Sequence, residues 1–514
     1  MPAPARTPHE RLVFTNGRIR TCAGHEPADW VCVERGQIAA VGRGAPPEPG
    51  GARHFDLRGR TLIPGFCDAH VHLTWVGLSF LGPDVSHADG PEAVCAAIAA
   101  WDGPGRGPGD AWIVGDGFDE TTWPEKRLPT RDELDGAERR RPVVVKRVCG
   151  HVGVANSPAL EAIPAGKHTD FATGRIAESD LWALNDRLRP GPKTFTRVMP
   201  RLTQLLHRHG ITAVHDVTSA EMLRALQTVR AHGDLELRVS CSLPTDRLDA
   251  LCAVGLQAGF GDAWLRILGI KFFADGSLGA HTAFLRQPYT DAPDTRGVAL
   301  HDADALGSLL RQGDAAGLQL MIHAIGDATL ERVLDCAAPL LRNGNPLRHR
   351  LEHVEVTPPD LVSCLADSGL WACVQPNFAG RWSQPGGMNE QRLGARLEHC
   401  NAYKALLDAG VPLAFGSDCM PIGPLYGLQS ATAHPVEAQR VTPATALELY
   451  TARAADCVLA TNSFGRIAPG LAADLVVLDG DPLDPVALQT VRVGATFVAG
   501  RCVYTADSRS RPPA

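Results

Sequence analysis

The chain has 514 residues, 44% of them hydrophobic and 21% charged, an ordinary mixture for a folded globular protein that excludes wholesale disorder. Its 50 basic and 57 acidic residues leave a net charge of −7 with no basic run, which disfavours a nucleic-acid or anionic-membrane surface. Length alone suggests roughly three domains, although an α/β barrel absorbs roughly 200 residues or more as one unit.

In chain order, residues 1–11 carry no apolar segment, and no apolar run long enough to span a bilayer follows. Neither a signal peptide nor a membrane span is therefore expected, and the protein is expected in the cytoplasm. The 14 cysteines form no CxxC pair and read as reduced, mostly buried side chains. Residues 11–20 (RLVFTNGRIR) place an Asn-Gly turn between two apolar pieces, and residues 30–41 repeat the pattern around Arg35-Gly36. Near the end, residues 473–478 (ADLVVL) and 491–504 look alike. Each terminal group of strands is too small for a core of its own, so a composite β-sandwich domain from residues 1–62 plus 465–514 is expected.

Between these ends, eight short apolar runs alternate with segments of helical spacing such as 303–316 and 401–409. The runs are 62–67, 211–217, 237–243, 267–274, 320–324, 350–354, 371–375 and 412–417. Eight buried strands alternating with helices predict an α/β fold, a (β/α)8 TIM-like barrel over 63–464, with its active site at the C-terminal strand ends. The count treats 75–200 as an insertion after the first barrel strand. That segment has strand-like runs at 112–114 and 143–148 and a Gly/Pro-rich stretch at 103–109. An insertion there is expected over the barrel mouth, where it could form part of a substrate pocket.

The strongest local signal is the pair His70 and His72 in PGFCDAHVHL. Residues two apart on a strand face one side, so both imidazoles can point into the barrel mouth and hold a divalent ion; incidental packed histidines are the alternative. Lys271 stands in the apolar run GIKFFADG. An unpaired ammonium there would be costly to bury or would lose its proton; a neutral amine can be carboxylated by CO2, giving two oxygens able to bridge two metals. Pairing with an acid such as Asp275, or with substrate, is the other reading. His323 and His353 lie at or near strand ends, and Asp418 follows the last run, where it could instead cap a helix. Six metal-compatible side chains at one end of one barrel are unlikely to coincide by chance.

With these residues in view, the chain resembles the amidohydrolase superfamily, and within it the branch of amidohydrolase family 3 that includes YtcJ-like proteins and N-substituted formamide deformylases. The likeness spans nearly the whole chain: PGFCDAHVHL (64–73), GHVGVANSPAL (150–160), KFFADGSLGAHTA (271–283), HAIGD (323–327), LEH (351–353), GSD (416–418) and GRIAPGLAADLVVLDGDP (465–482). The resemblance implies a divalent metal centre, usually zinc, with His70 and His72 on the more buried ion and His323 and His353 on the other. It implies that Lys271, if carboxylated, bridges two ions, with a single ion otherwise, and that Asp418 ligates and acts as general base. It makes His151 a candidate for contacting the substrate or its oxyanion. Phe118, Asp119, Trp123 and Glu178 of the insertion, and Trp382 in a loop after the seventh strand, are candidate pocket residues. Ordinary packing is the competing role for each aromatic. His215 and Asp216 could support the ligands or be structural. The chain departs from the family at Phe118, usually Trp, and at Ala328, usually Arg.

A hydroxide held by such a centre is nucleophilic at neutral pH, and Asp418 can take its proton and pass it to a leaving amine, with Lys271 and His323 also serving the chemistry. No GxSxG elbow argues for a serine nucleophile. The expectation is a hydrolase of non-peptide C–N bonds acting on a small amide-type molecule (an amide, N-acyl or N-formyl amine), without nucleic-acid or membrane partners, and a homodimer as in many relatives. A lactone, ester or cyclic amide substrate, or deamination, remains open on the same fold. A non-catalytic barrel scaffold is the remoter alternative.

Overall fold

The computed structural model describes residues 11–24, 28–46, 52–103, 111–164, 166–341 and 344–506. Residues 1–10 and 104–110, on which the expectations of a missing leader and a Gly/Pro-rich loop rest, lie outside the described residues. Two compact units emerge: Met1–His72, Pro200–Gly276 and Ala283–Ala514 form one, and Leu73–Met199 with Ser277–Thr282 the other.

The first unit contains eight barrel strands: β1 (Phe66–Val71), β2 (Ile211–Val217), β3 (Arg238–Pro244), β4 (Leu265–Phe273), β5 (Gln319–Ala324), β6 (Arg350–His353), β7 (Trp371–Val374) and β8 (Leu413–Phe415). They pair in parallel and in chain order, each with the next. The circle is nearly closed between β8 and β1, where the Asp418 amide donates to the His70 carbonyl at 2.8 Å and the Ser417 amide to Asp68 Oδ1 at 2.7 Å. Gly416 permits this approach, since a Cβ there would lie 2.6 Å from the His70 nitrogen. The fold is the expected α/β barrel with added sheets.

Two local expectations need correction. The first barrel strand does not begin in the run 62–67. Thr61–Pro64 pairs antiparallel with Leu475–Leu478 in a terminal sheet, and the chain enters the barrel only at Phe66. Gly65 makes the transfer, packed so closely that a Cβ would meet Thr212 Oγ1 at 2.1 Å. A continuous apolar run reports burial and is blind to a change of sheet. Likewise, the Asn16-Gly17 turn does not join two paired strands. Leu12–Thr15 pairs with Trp30–Glu34 and Arg53–Asp56, whereas Arg18–Ile19 pairs with Thr61–Pro64 in the second sheet. Around Arg35-Gly36 the hairpin does form, with Glu34 opposite Gln37 and φ of 51° and 79° at the turn.

The terminal sheets have the orders Gln37–Gly42, Trp30–Glu34, Leu12–Thr15, Arg53–Asp56, and Arg18–Ile19, Thr61–Pro64, Leu475–Leu478, Val493–Val498, Arg501–Thr505. Both chain ends thus contribute to one apolar core, in which Phe14, Phe55 and Phe497 meet at centroid distances of 5.1–5.3 Å. Each fully buried phenylalanine contributes about 1.5–3 kcal/mol, so neither end has reason to fold alone.

The second unit holds a five-stranded sheet ordered Thr169–Asp170, Arg175–Ala177, Val152–Ala155, Val143–Arg147, Ile113–Phe118. Alternate residues serve two cores. Ile113, Val143, Val145 and Val154 pack with Val94, Ile98 and Leu134, while Val114, Val144, Ala155 and Ile176 pack with Leu160, Leu181 and Leu184.

Candidate metal centre

His70 lies on β1, whose Cys67 and Ala69 join an apolar cluster with Cys373 and helix Ala452–Cys457. His72 follows just beyond the strand. The His70 and His72 rings lie 5.3 Å apart, His70 and His353 5.0 Å, and His323 and His353 4.5 Å. Asp418 Oδ1 stands 3.1 Å from His72 Nε2 and 3.5 Å from His70 Nε2. Ligand atoms of His70, His353 and Asp418 all fall within 4.8 Å of one another.

Partners on the far side of each ring decide which nitrogen faces inward. His70 Nδ1 meets Glu352 Oε2 at 2.5 Å and His353 Nδ1 meets Gln375 Oε1 at 2.8 Å, leaving Nε2 of both toward the centre. His323 Nε2 donates to the Gly276 carbonyl at 2.9 Å, which leaves its Nδ1. Burial, reinforced by neighbouring cations, depresses the pKa of His70 and His353 well below the usual value; burial also depresses His72, with Asp418 opposing. The shifts favour the neutral imidazole, the form that binds metal.

Lys271 on β4 is 1% exposed, and its Nζ has no hydrogen-bond partner. Burial lowers its pKa to about 8 against the opposing pull of Glu352 and Asp418. Asp275 does not pair with it: its carboxylate accepts from the amides of Phe284 (3.0 Å), Ile325 (3.1 Å) and Gly326 (2.9 Å), and burial raises it to about 7. His70 Nε2 and Asp418 Oδ1 are likewise buried without a hydrogen bond. A bare imidazole nitrogen and carboxylate oxygen, grouped with His353 within 4.8 Å, fit a divalent cation with carboxylate and imidazole ligands. The backbone is left-handed at His353 (φ 74°), Val354 (51°), Asp418 (51°) and Cys419 (62°), strain of the kind that collects at functional sites.

The groups behind the ligands escaped the sequence reading. Glu352 also accepts from Arg350 Nε at 2.6 Å, Arg350 Nη2 donates to the Ala69 carbonyl at 2.6 Å, and both side chains are wholly buried in the barrel. Their signal was legible: two charged residues two apart in a strand, the spacing that singled out His70 and His72. Gln375 and Asp68 gave no such signal. Glu355, just past His353, is buried, and burial with the nearby Asp275 and Asp418 raises its pKa to about 8.

The remaining candidates fall elsewhere. Trp382 closes a helix, Pro376–Trp382, rather than lying in a loop; it packs on Phe378 (4.9 Å), which stacks parallel to His353 at 6.0 Å. His215 meets Ser242 Oγ at 2.8 Å, and Asp216 accepts from the Thr218 hydroxyl at 2.6 Å. The other five belong to the second unit. There Phe118 and Trp123 pack together in its core at 5.5 Å, with Trp123 Nε1 donating to the Ala88 carbonyl. Asp119 caps residues 120–122 and pairs with Arg147 at 3.2 Å. His151 Nδ1 meets Glu178 at 3.1 Å beside the Trp182 ring.

The chain is similar to proteins of one family. YtcJ of Bacillus subtilis (strain 168) is 29% identical over 88% of this chain and 90% of its own length. N-substituted formamide deformylase of Arthrobacter pascens is 26% identical over 96% and 98%. The crystal structure of an uncharacterized metal-dependent hydrolase from Pyrococcus horikoshii OT3 superposes with a TM-score of 0.77 at 28% identity, covering 92% of this chain and 98% of that one. The amidohydrolase family model matches residues 53–504, which include every proposed metal ligand, and the chain therefore belongs to the amidohydrolase family.

Proposed function

We propose that the protein is a metal-dependent hydrolase that cleaves a non-peptide C–N bond in a small molecule, an amide or an N-acyl or N-formyl amine. The observation that carries this reading is the cluster of His70, His353 and Asp418, whose ligand atoms lie within 4.8 Å of one another, beside His72 and His323, with a buried Lys271 that has no hydrogen bond in electrostatic reach of Asp418. Zinc suits the imidazole and carboxylate donors; the site takes two ions if Lys271 is carboxylated and one if it is not. Bound there, a divalent ion supplies a Lewis acid and makes water a nucleophile near neutral pH.

The chain's own residues do the rest. Glu352 and Gln375 fix the ring orientation of His70 and His353. Asp418, held by its own amide on the His70 carbonyl, is placed to take a proton from the attacking water and return it to the departing nitrogen. A neutral Lys271 amine can add to CO2 through its nitrogen lone pair, losing one proton as the N–C bond of the carbamate forms. A retained general base has no purpose in a scaffold, which disfavours the non-catalytic alternative.

The test is a panel of N-acyl and N-formyl amines, esters and lactones with zinc-loaded protein, alongside metal analysis. Amide turnover should dominate, and Asp418→Asn should lower kcat/KM by about 10²–10⁴-fold with the fold intact. Ester or lactone turnover without amide turnover would move the assignment to that chemistry. Protein without stoichiometric divalent metal, together with an Asp418→Asn variant of unchanged activity, would end the hydrolase reading.

A further inference from the structure

Glu355 is a buried carboxyl at the strand ends that none of the preceding assignments uses. It stands two residues beyond His353, where the left-handed backbone at His353 and Val354 turns the chain off β6. Both flanks are then pinned. The Val354 amide donates to the Ala324 carbonyl at 3.0 Å, the Val356 amide to the Ile325 carbonyl at 3.0 Å, and the Glu355 carbonyl accepts from the Asn401 amide at 2.7 Å. The residue is 4% exposed, yet among the described residues its carboxyl makes no hydrogen bond and no ion pair. The charged groups that reach it are carboxylates, Asp275 and Asp418, while Tyr289, Cys400 and Tyr403 are its other titratable neighbours.

This is an unfavourable place for a carboxyl. A carboxyl this nearly buried, with no donor from the protein, is costly, and the electrostatic influence of two acids adds repulsion. Asp275 shows how the same fold satisfies a structural acid, with three backbone amides on one carboxylate. Glu355 has received nothing comparable, although Asp418, with which it interacts, is the residue placed to move the proton. An acceptor on pinned backbone, two residues past His353 and without a protein donor, calls for a donor that arrives with the substrate.

We infer that Glu355 is a specificity-determining substrate contact that accepts a hydrogen bond from the substrate's N–H, so that the preferred substrates are primary or secondary amides rather than N,N-disubstituted amides or esters. The inference rests on the C–N hydrolase reading and narrows it to the N–H-bearing class. It does not depend on the protonation of Glu355, because a carboxyl accepts from an N–H in either state.

Three matched probes test it: N-butylformamide, N-butyl-N-methylformamide and butyl formate, with zinc-loaded wild type, Glu355→Leu and Glu355→Gln of equal metal content and thermal stability. Wild type should favour the N–H amide. Glu355→Leu should raise KM or lower kcat/KM for N-butylformamide by about 10- to 100-fold while changing the other two by less than about 3-fold. Glu355→Gln, which keeps an acceptor, should restore most of the loss. Equal losses on all three probes, or an N-butylformamide rate untouched in Glu355→Leu, overturns the inference and leaves the C–N reading standing. If wild type turns over none of them, the C–N reading fails for this class, and binding then decides the inference. Calorimetry should show N-butylacetamide binding wild type more tightly than its N-methyl analogue, with the difference abolished in Glu355→Leu. An equal affinity for the two in wild type sinks it.

Discussion

His70, a proposed metal ligand, is oriented by Glu352, with Arg350 behind it. The carboxylate accepts from Arg350 on one oxygen and meets the imidazole on the other, all three side chains wholly buried. Glu352→Gln removes the counter-charge of a guanidinium that has no route to water. Breaking such a pair from one side costs about 3–5 kcal/mol, and loss of a ligand's supporting carboxylate weakens metal affinity about 10- to 100-fold. Urea unfolding of metal-free protein should register the first effect and competitive zinc titration the second. A variant with wild-type stability would show that Arg350 has another partner.

At the level of elements, the centre is assembled where strands stop. Asp418 reaches His70 because Gly416 and Ser417 carry β8 tightly against β1, and the left-handed residues at His353 and Asp418 turn the chain at the ends of β6 and β8. Gly416→Ala is therefore expected to act at the seam: its Cβ would meet His70 Cβ at 2.7 Å and the His70 nitrogen at 2.6 Å. Overpacking of this kind costs about 1–3 kcal/mol. Because the collision is with backbone, the strands must part, so a lowered melting temperature should come with weakened zinc binding. A variant that melts early but binds zinc normally would separate closure from ligand placement.

At the scale of the molecule, the two chain ends hold each other. Leu475–Leu478 lies between Thr61–Pro64 and Val493–Val498, and Asp474 forms a buried ion pair with Arg238 of β3 at 2.5 Å. Deleting residues 465–514 would expose the apolar face of Thr61–Pro64 and strand Arg238 without its acid, so the truncated chain should be insoluble or bind a hydrophobic dye. A soluble, cooperatively melting product would contradict the shared core. His207 adds a pH dependence. Burial, with some help from Arg501, lowers its pKa from 6.5 to about 4, and Nε2 donates to the Glu236 carbonyl at 2.9 Å. The unfolded chain takes up the proton first, so this contribution is full above pH 6.5 and is lost as pH falls toward 4, up to about 3 kcal/mol. Denaturation of wild type and His207→Gln between pH 7 and 4.5 should show a flatter profile in the variant.

Much of this was written in one dimension. Alternation and apolar runs marked eight strands, the His70/His72 spacing marked the candidate centre, and lysine and aspartate in apolar or terminal strand positions marked two more candidate groups, because burial pattern and strand period are local properties. What only the tertiary structure decided is non-local. It showed that the run at 62–67 is divided between two sheets, that the turn at Asn16-Gly17 passes the chain from one sheet to the other, and that Glu352 rather than a neighbour in sequence supports His70 across the barrel. It also satisfied Asp275 with backbone amides while leaving the Lys271 amine without a hydrogen bond. A residue's type fixes what it can donate or accept. Whether a partner stands within reach depends on segments that only the folded chain brings together, and that difference separates a structural acid from a functional one.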